Sequence, residues 1–179
     1  MSLSPKFEHG ISVSELLDRV RGQVITPDDA GYDAARTVFY GGFDRRPAVI
    51  VRVADASDVA QVVHYARETG AELAVRGGGY SAAGFGVSDG GIVIDLSAMK
   101  GLEIDPDTRT AWAEGGLTAG EYTTAAAEHG LATGFGDTGS VGLGGLTLGG
   151  GVGYLVRKYG LTIDDLLAAE IVTADGQCL

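Results

Sequence analysis

Glycine is concentrated in one stretch of the chain that could hold a phosphate group. Residues 141–158 read VGLGGLTLGGGVGYLVRK, so glycines recur through a sequence that is otherwise apolar and ends in basic residues. Glycine loses more conformational entropy on folding than other residues, so this density indicates a backbone that comes very close to something. Main-chain N–H groups in such a loop can hold an anion. Close packing of two backbones is the alternative explanation.

A second cluster, residues 76–86 (RGGGYSAAGFG), lies earlier in the chain and directly follows a predicted strand. Arg76 is therefore expected near the carboxyl end of that strand, where open α/β sheets bind ligands. A tight turn without a ligand is the alternative, because glycine marks turns more often than phosphate sites. We number the loops in chain order, so residues 76–86 are the first loop and the stretch around residues 141–158 is the second loop. Together the two loops predict one dinucleotide diphosphate held from two sides, which requires both loops to share a cleft.

Other motifs of nucleotide, metal or nucleophile chemistry are not found in the sequence. No Gly-Lys-Ser/Thr occurs, so there is no Walker loop. A G-x-G-x-x-G pattern at Gly134, Gly136 and Gly139 neither follows a strand nor opens a helix, and we interpret it as chance. Cys178 is expected to be a packed thiol in a strand. The histidines match no metal-ligand spacing, so no metal is predicted; they are His9, His64 and His129.

The first half of the chain has a pattern that would position the first loop at the edge of a sheet. A helix is predicted over 12–21, where Ser12 and Glu15 form a capping box, and an irregular arm follows over 23–46. Strands are predicted over 48–53, 71–76 and 92–96, and a helix capped by Asp55 over 55–69. Strand, helix and strand with short joints indicate parallel strands with a right-handed crossover.

The second half changes to an antiparallel pattern. Residues 101–105 and 108–114 alternate around an Asp-Pro-Asp turn, which is typical of a hairpin. Thr118 and Glu121 form a capping box for a helix over 118–129. After the second glycine-rich loop we expect a short helix near 164–168 and a strand over 170–174 that runs into a hairpin turn at Asp175-Gly176. Only three residues follow that turn, so we expect the natural polypeptide to continue.

Composition places the chain in the soluble globular class. It has 179 residues, of which 45% are hydrophobic and 21% charged, which is enough for a substantial core. The net charge of −11 disfavours nucleic acid as a partner. No apolar run approaches the ~20 residues of a membrane helix. A polar start without an apolar signal region and a single cysteine predict a cytoplasmic, reducing compartment.

Both loops, in this order, resemble a known family. The segments DRRPAVIVRV (44–53), VRGGGYSAAGFGVSDGGIVIDLSAMKG (75–101) and VGLGGLTLGGGVGYLVRKYGLTIDDLLAAEIVTADG (141–176) are similar to the FAD-binding domain of berberine-bridge-enzyme-like oxidoreductases. That family lies in the vanillyl-alcohol oxidase and p-cresol methylhydroxylase (PCMH) superfamily. The resemblance covers roughly residues 44–179.

The resemblance implies an α+β fold of the PCMH type, in which FAD lies between two α/β subdomains. One subdomain would carry a small parallel sheet, the other an antiparallel sheet with helices. We expect an N-terminal helix and arm over 1–46, the first subdomain over 47–100, and a second subdomain over 101–179 that is incomplete at its C-terminus.

The family motifs also imply which residues bind FAD. Backbone of the first loop would hold the pyrophosphate, the second loop would run along the pyrophosphate, ribityl chain and flavin, and Val172 would lie near the adenine side. The implied cofactor-binding residues are Arg76, Gly77, Gly78, Gly79, Tyr80, Ser81, Gly84, Thr138, Gly139, Val141, Gly142, Gly145, Gly149, Gly150, Gly151, Gly153, Tyr154 and Val172.

Two residues depart from the family pattern where relatives attach the flavin covalently. Many relatives have a histidine that bonds the flavin 8α-methyl, and here that position is Tyr80. Some also use a cysteine, and the corresponding residue is Thr138, whose hydroxyl is too weakly acidic to replace a thiolate. We therefore predict non-covalent FAD. A tyrosyl bond from Tyr80 is the chemical alternative, because a phenolate can act as a nucleophile.

The function implied by the resemblance is the FAD-binding part of an oxidase-type oxidoreductase. In the complete enzyme a substrate C–H bond would give hydride to flavin N5, assisted by a base that lies outside this chain, and dioxygen would accept the electrons. The substrate is expected to be a small molecule such as an alcohol, a sugar or a secondary metabolite. The alternative is a non-catalytic nucleotide-binding module, or an inactive fragment that lacks the substrate domain and self-associates through exposed apolar surface.

Overall fold

A four-stranded sheet forms the first half of the computed structural model, which describes residues 10–179. Its strands are β1 (Gln23–Ile25), β2 (Val49–Arg52), β3 (Leu73–Arg76) and β4 (Ile92–Asp95), in the order β1-β2-β4-β3. Strand β4 is central and runs parallel to β2 and β3, whereas β1 is antiparallel to β2. The α+β fold expected from the sequence is confirmed, with the crossover strands where the β-branched runs predicted them.

Both faces of this sheet are covered. Helices α1 (Val13–Arg19) and α3 (Ala56–Thr69) cover one face, where Leu16, Val62 and Tyr65 join the strand residues of one buried cluster. Helix α2 (Tyr32–Arg36) covers the other face, where Tyr32 packs in a cluster with Ile50 and residues of the neighbouring strands. Burial on both faces explains why the parallel strands are continuous apolar runs rather than alternating ones.

The predicted irregular arm over 23–46 is wrong in two places, because this segment contributes β1 to the sheet and α2 to its cover. The buried carboxylate of Asp58 accepts hydrogen bonds from the main-chain N–H groups of Arg21, Gly22 and Ala54, which fixes the bend before β1. A side chain at Gly22 would overlap the carbonyl oxygen of Arg52. Gly22 therefore allows β1 to approach β2. Helix α1 ends at Arg19, two residues earlier than predicted.

The second half contains a hairpin and short helices around a smaller core. Strands β5 (Leu102–Asp105) and β6 (Thr110–Ala113) form the predicted antiparallel hairpin. Helix α4 (Ala119–Glu128) starts at the predicted capping box. Two short helices follow, α5 (Leu143–Leu148) and α6 (Val156–Tyr159), and then a 3₁₀ turn at Thr162–Asp165. The buried core of this half consists of Leu117, Ala119, Phe135 and Leu143.

Three further expectations differ from the structure at the C-terminal side. The short helix near 164–168 is a 3₁₀ turn that begins at Thr162. The strand predicted over 170–174 is reduced to one antiparallel bridge between Val172 and Cys178, flanked by main-chain hydrogen bonds between 171–173 and 177–179 across the turn at Asp175-Gly176. Cys178 is exposed rather than packed, since no strand buries it.

The terminal turn packs on helix α3. Arg67 donates a hydrogen bond to the carbonyl oxygen of Ala174, and a side chain at Gly176 would overlap the His64 ring. None of the helices between residues 10 and 179 combines the length and the hydrophobicity needed to cross a membrane.

Candidate functional site

The two glycine-rich loops meet. A side chain on Gly78 would overlap the main-chain nitrogen of Gly142, and a side chain on Gly142 would overlap that of Gly78. Beside this contact, the hydroxyl of Tyr80 shares a hydrogen bond with Ser140 Oγ. The predicted proximity of the loops is confirmed, and we call the place where they touch the loop junction, formed by residues 77–81 and 138–145.

A third segment completes the loop junction, and the sequence analysis missed it. Residues before and at the start of α4 pair with the second loop: the N–H of Ala119 donates to Val141 O at 2.9 Å, and the N–H of Leu143 to Leu117 O at 2.8 Å. A Cβ atom added to Gly77 would lie 3.4 Å from the carbonyl oxygen of Gly115, and one added to Gly144 would lie 3.5 Å from the same oxygen. The adjacent glycines Gly115 and Gly116, before the Thr118 cap, were the sequence signal that could have indicated this contact.

Backbone packing explains some glycines of the second loop and not others. Gly78 and Gly142 are needed where the loops touch, and Gly153 is needed because a side chain there would overlap the carbonyl oxygen of Phe135. In contrast, a side chain on Gly145 would meet no protein atom within 4 Å, although glycine in a helix costs about 0.5–1 kcal/mol relative to alanine. Close backbone packing is therefore the reason for part of the glycine pattern, and an exposed helical glycine without a packing reason remains.

Unused hydrogen-bond donors lie at the loop junction. Across residues 10–179, no protein acceptor receives a hydrogen bond from the main-chain N–H groups of Gly77 through Ser81. Gly78 is exposed, and so are Thr138 to Ser140 of the second loop, where Ser140 bonds the Tyr80 hydroxyl. Adjacent free N–H groups at an accessible glycine-rich turn suit an anionic ligand such as a diphosphate.

Arg76 lies beneath the first loop rather than at its surface. Its buried guanidinium donates to Asp95 Oδ2 at 3.0 Å, and Arg52 donates to the same oxygen at 3.1 Å. Burial by itself would raise the pKa of Asp95, yet the charge of Arg76 and hydrogen bonds from Ser97 outweigh it and hold that pKa below its ordinary value. The structure thus gives Arg76 a supporting ion pair. Its Nη1 atom is buried and has no partner among the described residues.

The first loop is held from behind by residues 38–46, which we call the brace. The N–H of Phe39 donates to Gly79 O at 3.1 Å. Arg45 donates to the carbonyl oxygens of Gly84 and Val87, both at 2.9 Å. The Phe43 ring fills the space that a side chain on Gly84 would need. This segment belongs to the arm predicted over 23–46, and its contact with the first loop was not predicted.

The remaining residues of the predicted site lie further along the second loop or beyond it. Gly149, Gly150 and Gly151 follow α5, and Tyr154 is 88% exposed. Val172 lies in the C-terminal turn and packs against the core cluster that includes α3. A metal centre is not indicated, since residues 10–179 contain no group of three or more metal-ligating side chains in suitable proximity.

Comparison with known proteins identifies the family of the chain. The FAD binding domain family matches residues 47–179. (R)-6-hydroxynicotine oxidase of Paenarthrobacter nicotinovorans is 43% identical over 160 residues, which cover 89% of this chain and 35% of that protein. Berberine bridge enzyme-like 14 of Arabidopsis thaliana is 34% identical over 146 residues, covering 79% of this chain and 28% of that protein.

A solved structure has the same fold. Glucooligosaccharide oxidase from Acremonium strictum, described with 6-S-cysteinyl, 8α-N1-histidyl FAD, superposes with a TM-score of 0.88 at 30% identity over 94% of this chain and 36% of its own. The chain spans about a third of the length of these relatives. It belongs to the FAD binding domain family, within the FAD-linked oxidoreductases of the vanillyl-alcohol oxidase and p-cresol methylhydroxylase superfamily.

The loop junction fits the cofactor of this family. FAD carries a diphosphate between two ring systems, and the unpaired N–H groups of the first loop are suitable donors to it. The open space above Gly145 leaves room for a ligand at the start of α5. The alternatives without a ligand, a tight turn in the first loop and close backbone packing in the second, account for Gly78 and Gly142 but not for the exposed helical Gly145.

Proposed function

We propose that the loop junction holds the diphosphate of FAD without a covalent bond, as the cofactor-binding part of an oxidase-type oxidoreductase. The observation that carries this proposal is the combination of unpaired main-chain N–H groups at Gly77–Ser81 with open space at Gly145. When bound, FAD supplies a two-electron acceptor for a substrate C–H bond. The main-chain N–H donors of this chain would bind and orient FAD, and the glycines of the loops would keep side chains out of the contact.

Non-covalent binding is supported by the residues at the two attachment positions. Tyr80 already engages its hydroxyl with Ser140, and Thr138 offers a hydroxyl of low acidity that bonds the neighbouring Asp137. Neither side chain is a ready nucleophile in this arrangement. The relative glucooligosaccharide oxidase, by contrast, is described with histidyl and cysteinyl links to its FAD.

We extend the proposal to the full set of residues that the family motifs implied. Those of the first loop would contact the diphosphate, and those of the second loop the diphosphate, ribityl chain and flavin. The residues proposed to contact FAD are Gly77, Gly78, Gly79, Tyr80, Ser81, Gly84, Thr138, Gly139, Val141, Gly142, Gly145, Gly149, Gly150, Gly151, Gly153, Tyr154 and Val172. Arg76 is proposed to act from below, by supporting the first loop through Asp95.

We propose that substrate chemistry resides in parts of the whole protein other than this FAD-binding segment. The relatives are about three times as long, and names such as (R)-6-hydroxynicotine oxidase and glucooligosaccharide oxidase point to small-molecule substrates of those proteins. We propose a small-molecule substrate and dioxygen as the acceptor for this protein too. The single cysteine supports a reducing, cytoplasmic compartment.

Titration of the purified, cofactor-stripped protein with FAD tests the proposal. We expect saturable quenching of flavin fluorescence and co-elution of flavin absorbance with the protein on gel filtration. Riboflavin and adenosine, the two ends of FAD without its diphosphate, are the control ligands, and both should bind much more weakly. Equal binding of FAD and riboflavin, or no binding of either, would overturn a diphosphate site at the loop junction.

Acid precipitation of the FAD complex tests the mode of attachment. A yellow supernatant over a colourless pellet is expected for non-covalent FAD, whereas a yellow pellet would show a covalent link and point to Tyr80.

The non-catalytic alternative is favoured by one observation, the many exposed apolar side chains of the second half, including Leu148, Val152, Tyr154 and Leu167. Such surface promotes self-association. If the protein elutes as a large oligomer without flavin, that alternative is supported.

A further inference from the structure

Tyr80 connects three separate segments of the chain. Its ring stacks on Phe39 of the brace, with centroids 4.2 Å apart and planes inclined by 17°. Its hydroxyl shares a hydrogen bond with Ser140 Oγ of the second loop. Tyr80 itself belongs to the first loop, directly after the glycines whose N–H groups are unpaired. Among the described residues of the first loop, no other side chain combines a ring stack on the brace with a hydrogen bond to the second loop.

The connection lies outside the tightest packing of the loops. Gly78 and Gly142 touch through their backbones, a contact that prevents closer approach but contains no hydrogen bond to prevent separation. Phe39 adds a main-chain hydrogen bond to Gly79 and is 60% exposed, so core packing does not fix its ring. The Tyr80–Ser140 pair therefore supplies a directional tie between two loops that otherwise only abut.

On this basis we infer that Phe39, Tyr80 and Ser140 form a clasp that fixes the spacing of the two loops and so prepares the diphosphate site before FAD binds. The inference rests on the proposed function for its ligand. Tyr80 acts as a positioning residue: it orders the N–H donors of its own loop relative to the second loop. Part of this device lies in the brace, which precedes the segment that the FAD binding domain family matches.

The physical gain comes from preorganisation. A ligand that must order two mobile loops loses affinity by the free energy of ordering them, and a tie already present in the cofactor-free protein removes part of that loss. Because the hydroxyl pair is exposed, its removal should hardly change global stability. The clasp should therefore act on FAD affinity and loop dynamics and leave the unfolding midpoint almost unchanged.

Removing the hydroxyls one at a time tests the clasp. Tyr80→Phe keeps the ring on Phe39 and loses the hydrogen bond, and Ser140→Ala removes the partner. Each variant should weaken FAD binding about three- to tenfold, the range of one lost hydrogen bond. The double variant should lose no more than either single one, because both remove the same interaction. Ser140→Thr, which retains a hydroxyl, should restore tight binding.

Tyr40→Phe is the matched control. Tyr40 is a neighbouring, exposed phenol whose hydroxyl bonds no acceptor or donor among the described residues, so its loss should change neither FAD affinity nor loop exchange. Wild-type affinity in Tyr80→Phe and Ser140→Ala would overturn the clasp. The clasp would also be overturned if the fold losses of FAD affinity in the two single variants multiplied in the double variant, because that would mean that the two hydroxyls act independently.

Amide hydrogen exchange of the cofactor-free protein separates this inference from the proposed function. The clasp predicts faster exchange of the hydrogen-bonded amides that hold the two loops, those of Phe39, Gly120 and Val141, in Tyr80→Phe and in Ser140→Ala. Exchange of the same amides should be unchanged in Tyr40→Phe. If the wild-type protein binds no FAD but the two variants show these exchange changes, the proposed function is refuted while the clasp stands as a tie between the loops. FAD binding with unchanged exchange and affinity in the variants would refute the clasp alone.

Discussion

Gly145→Ala should raise the stability of the cofactor-free protein and at the same time weaken FAD binding. Gly145 lies inside α5, is exposed, and has no protein atom within 4 Å of the position that a side chain would occupy. Alanine should therefore stabilise the helix by about 0.5–1 kcal/mol. The gain arises from lower backbone entropy in the unfolded chain, so no new contact is required.

The size of the thermal shift follows from the size of the chain. At roughly 2.1 cal/mol/K per residue, the unfolding entropy of a chain of 179 residues is about 0.4 kcal/mol/K. The expected rise in the midpoint is therefore about 1–2.5 °C for the cofactor-free protein. The same methyl group would stand in the space proposed for FAD, and overpacking of about 1–3 kcal/mol corresponds to a loss of affinity of roughly 5- to 150-fold.

Differential scanning calorimetry of the cofactor-free protein and fluorescence titration with FAD measure the two effects. Gly31→Ala is the matched control, because Gly31 also has right-handed helical backbone and open space, but lies at the start of α2. Because Gly31 is the N-cap of α2, where alanine is not preferred over glycine, the midpoint should not rise, and FAD affinity should be unchanged. Wild-type FAD affinity in Gly145→Ala would refute the placement of FAD over α5. A lower midpoint without FAD would refute the argument that Gly145 has no packing role.

Three further substitutions test the framework around the loop junction. Gly153→Ala should lower stability by about 1–3 kcal/mol, since the new methyl overlaps the Phe135 carbonyl, and a calorimetric midpoint at the wild-type value would contradict this. Asp58→Ala should cost about 3 kcal/mol by leaving three N–H groups without their acceptor, measured by urea unfolding; a loss below about 0.5 kcal/mol would contradict it. Asp95→Asn should cost about 3–5 kcal/mol near pH 7 because the buried Arg76 loses its counter-charge. The pKa of Asp95 is lower in the folded protein, so its contribution to stability is complete above the ordinary value of about 3.9 and is lost as pH falls through the folded value. The free energy of unfolding measured over a pH series should therefore fall less steeply at acid pH in Asp95→Asn.

Local sequence patterns were sufficient for much of the framework. The β-branched runs marked β2 and β4, and the cap residues Asp55 and Thr118 marked the starts of α3 and α4. These features depend on interactions within a few residues, which the sequence displays directly. The resemblance to the FAD-binding family came from the same kind of contiguous motif, and the family comparison confirms it.

Strand β1 was not predictable because its signal is too short. Gln-Val-Ile has no alternation that distinguishes a strand from a loop, and β1 exists because β2 offers a free edge and Gly22 permits close approach. Helix α5 is a similar case. Its glycines oppose helix formation, yet burial of Leu143 and pairing of its first turn with Leu117 stabilise it.

The sequence by itself determined the two glycine-rich loops, the elements β3 and α4 that directly precede them, and the class of ligand that such loops suit. The tertiary structure alone decided which glycines pack against backbone and which face open space, because that depends on segments far away in the chain. It also turned Arg76 toward Asp95 and placed Phe39 on Tyr80. Contacts between distant segments are set by the whole fold, so they have no local signal that a sequence pattern could carry.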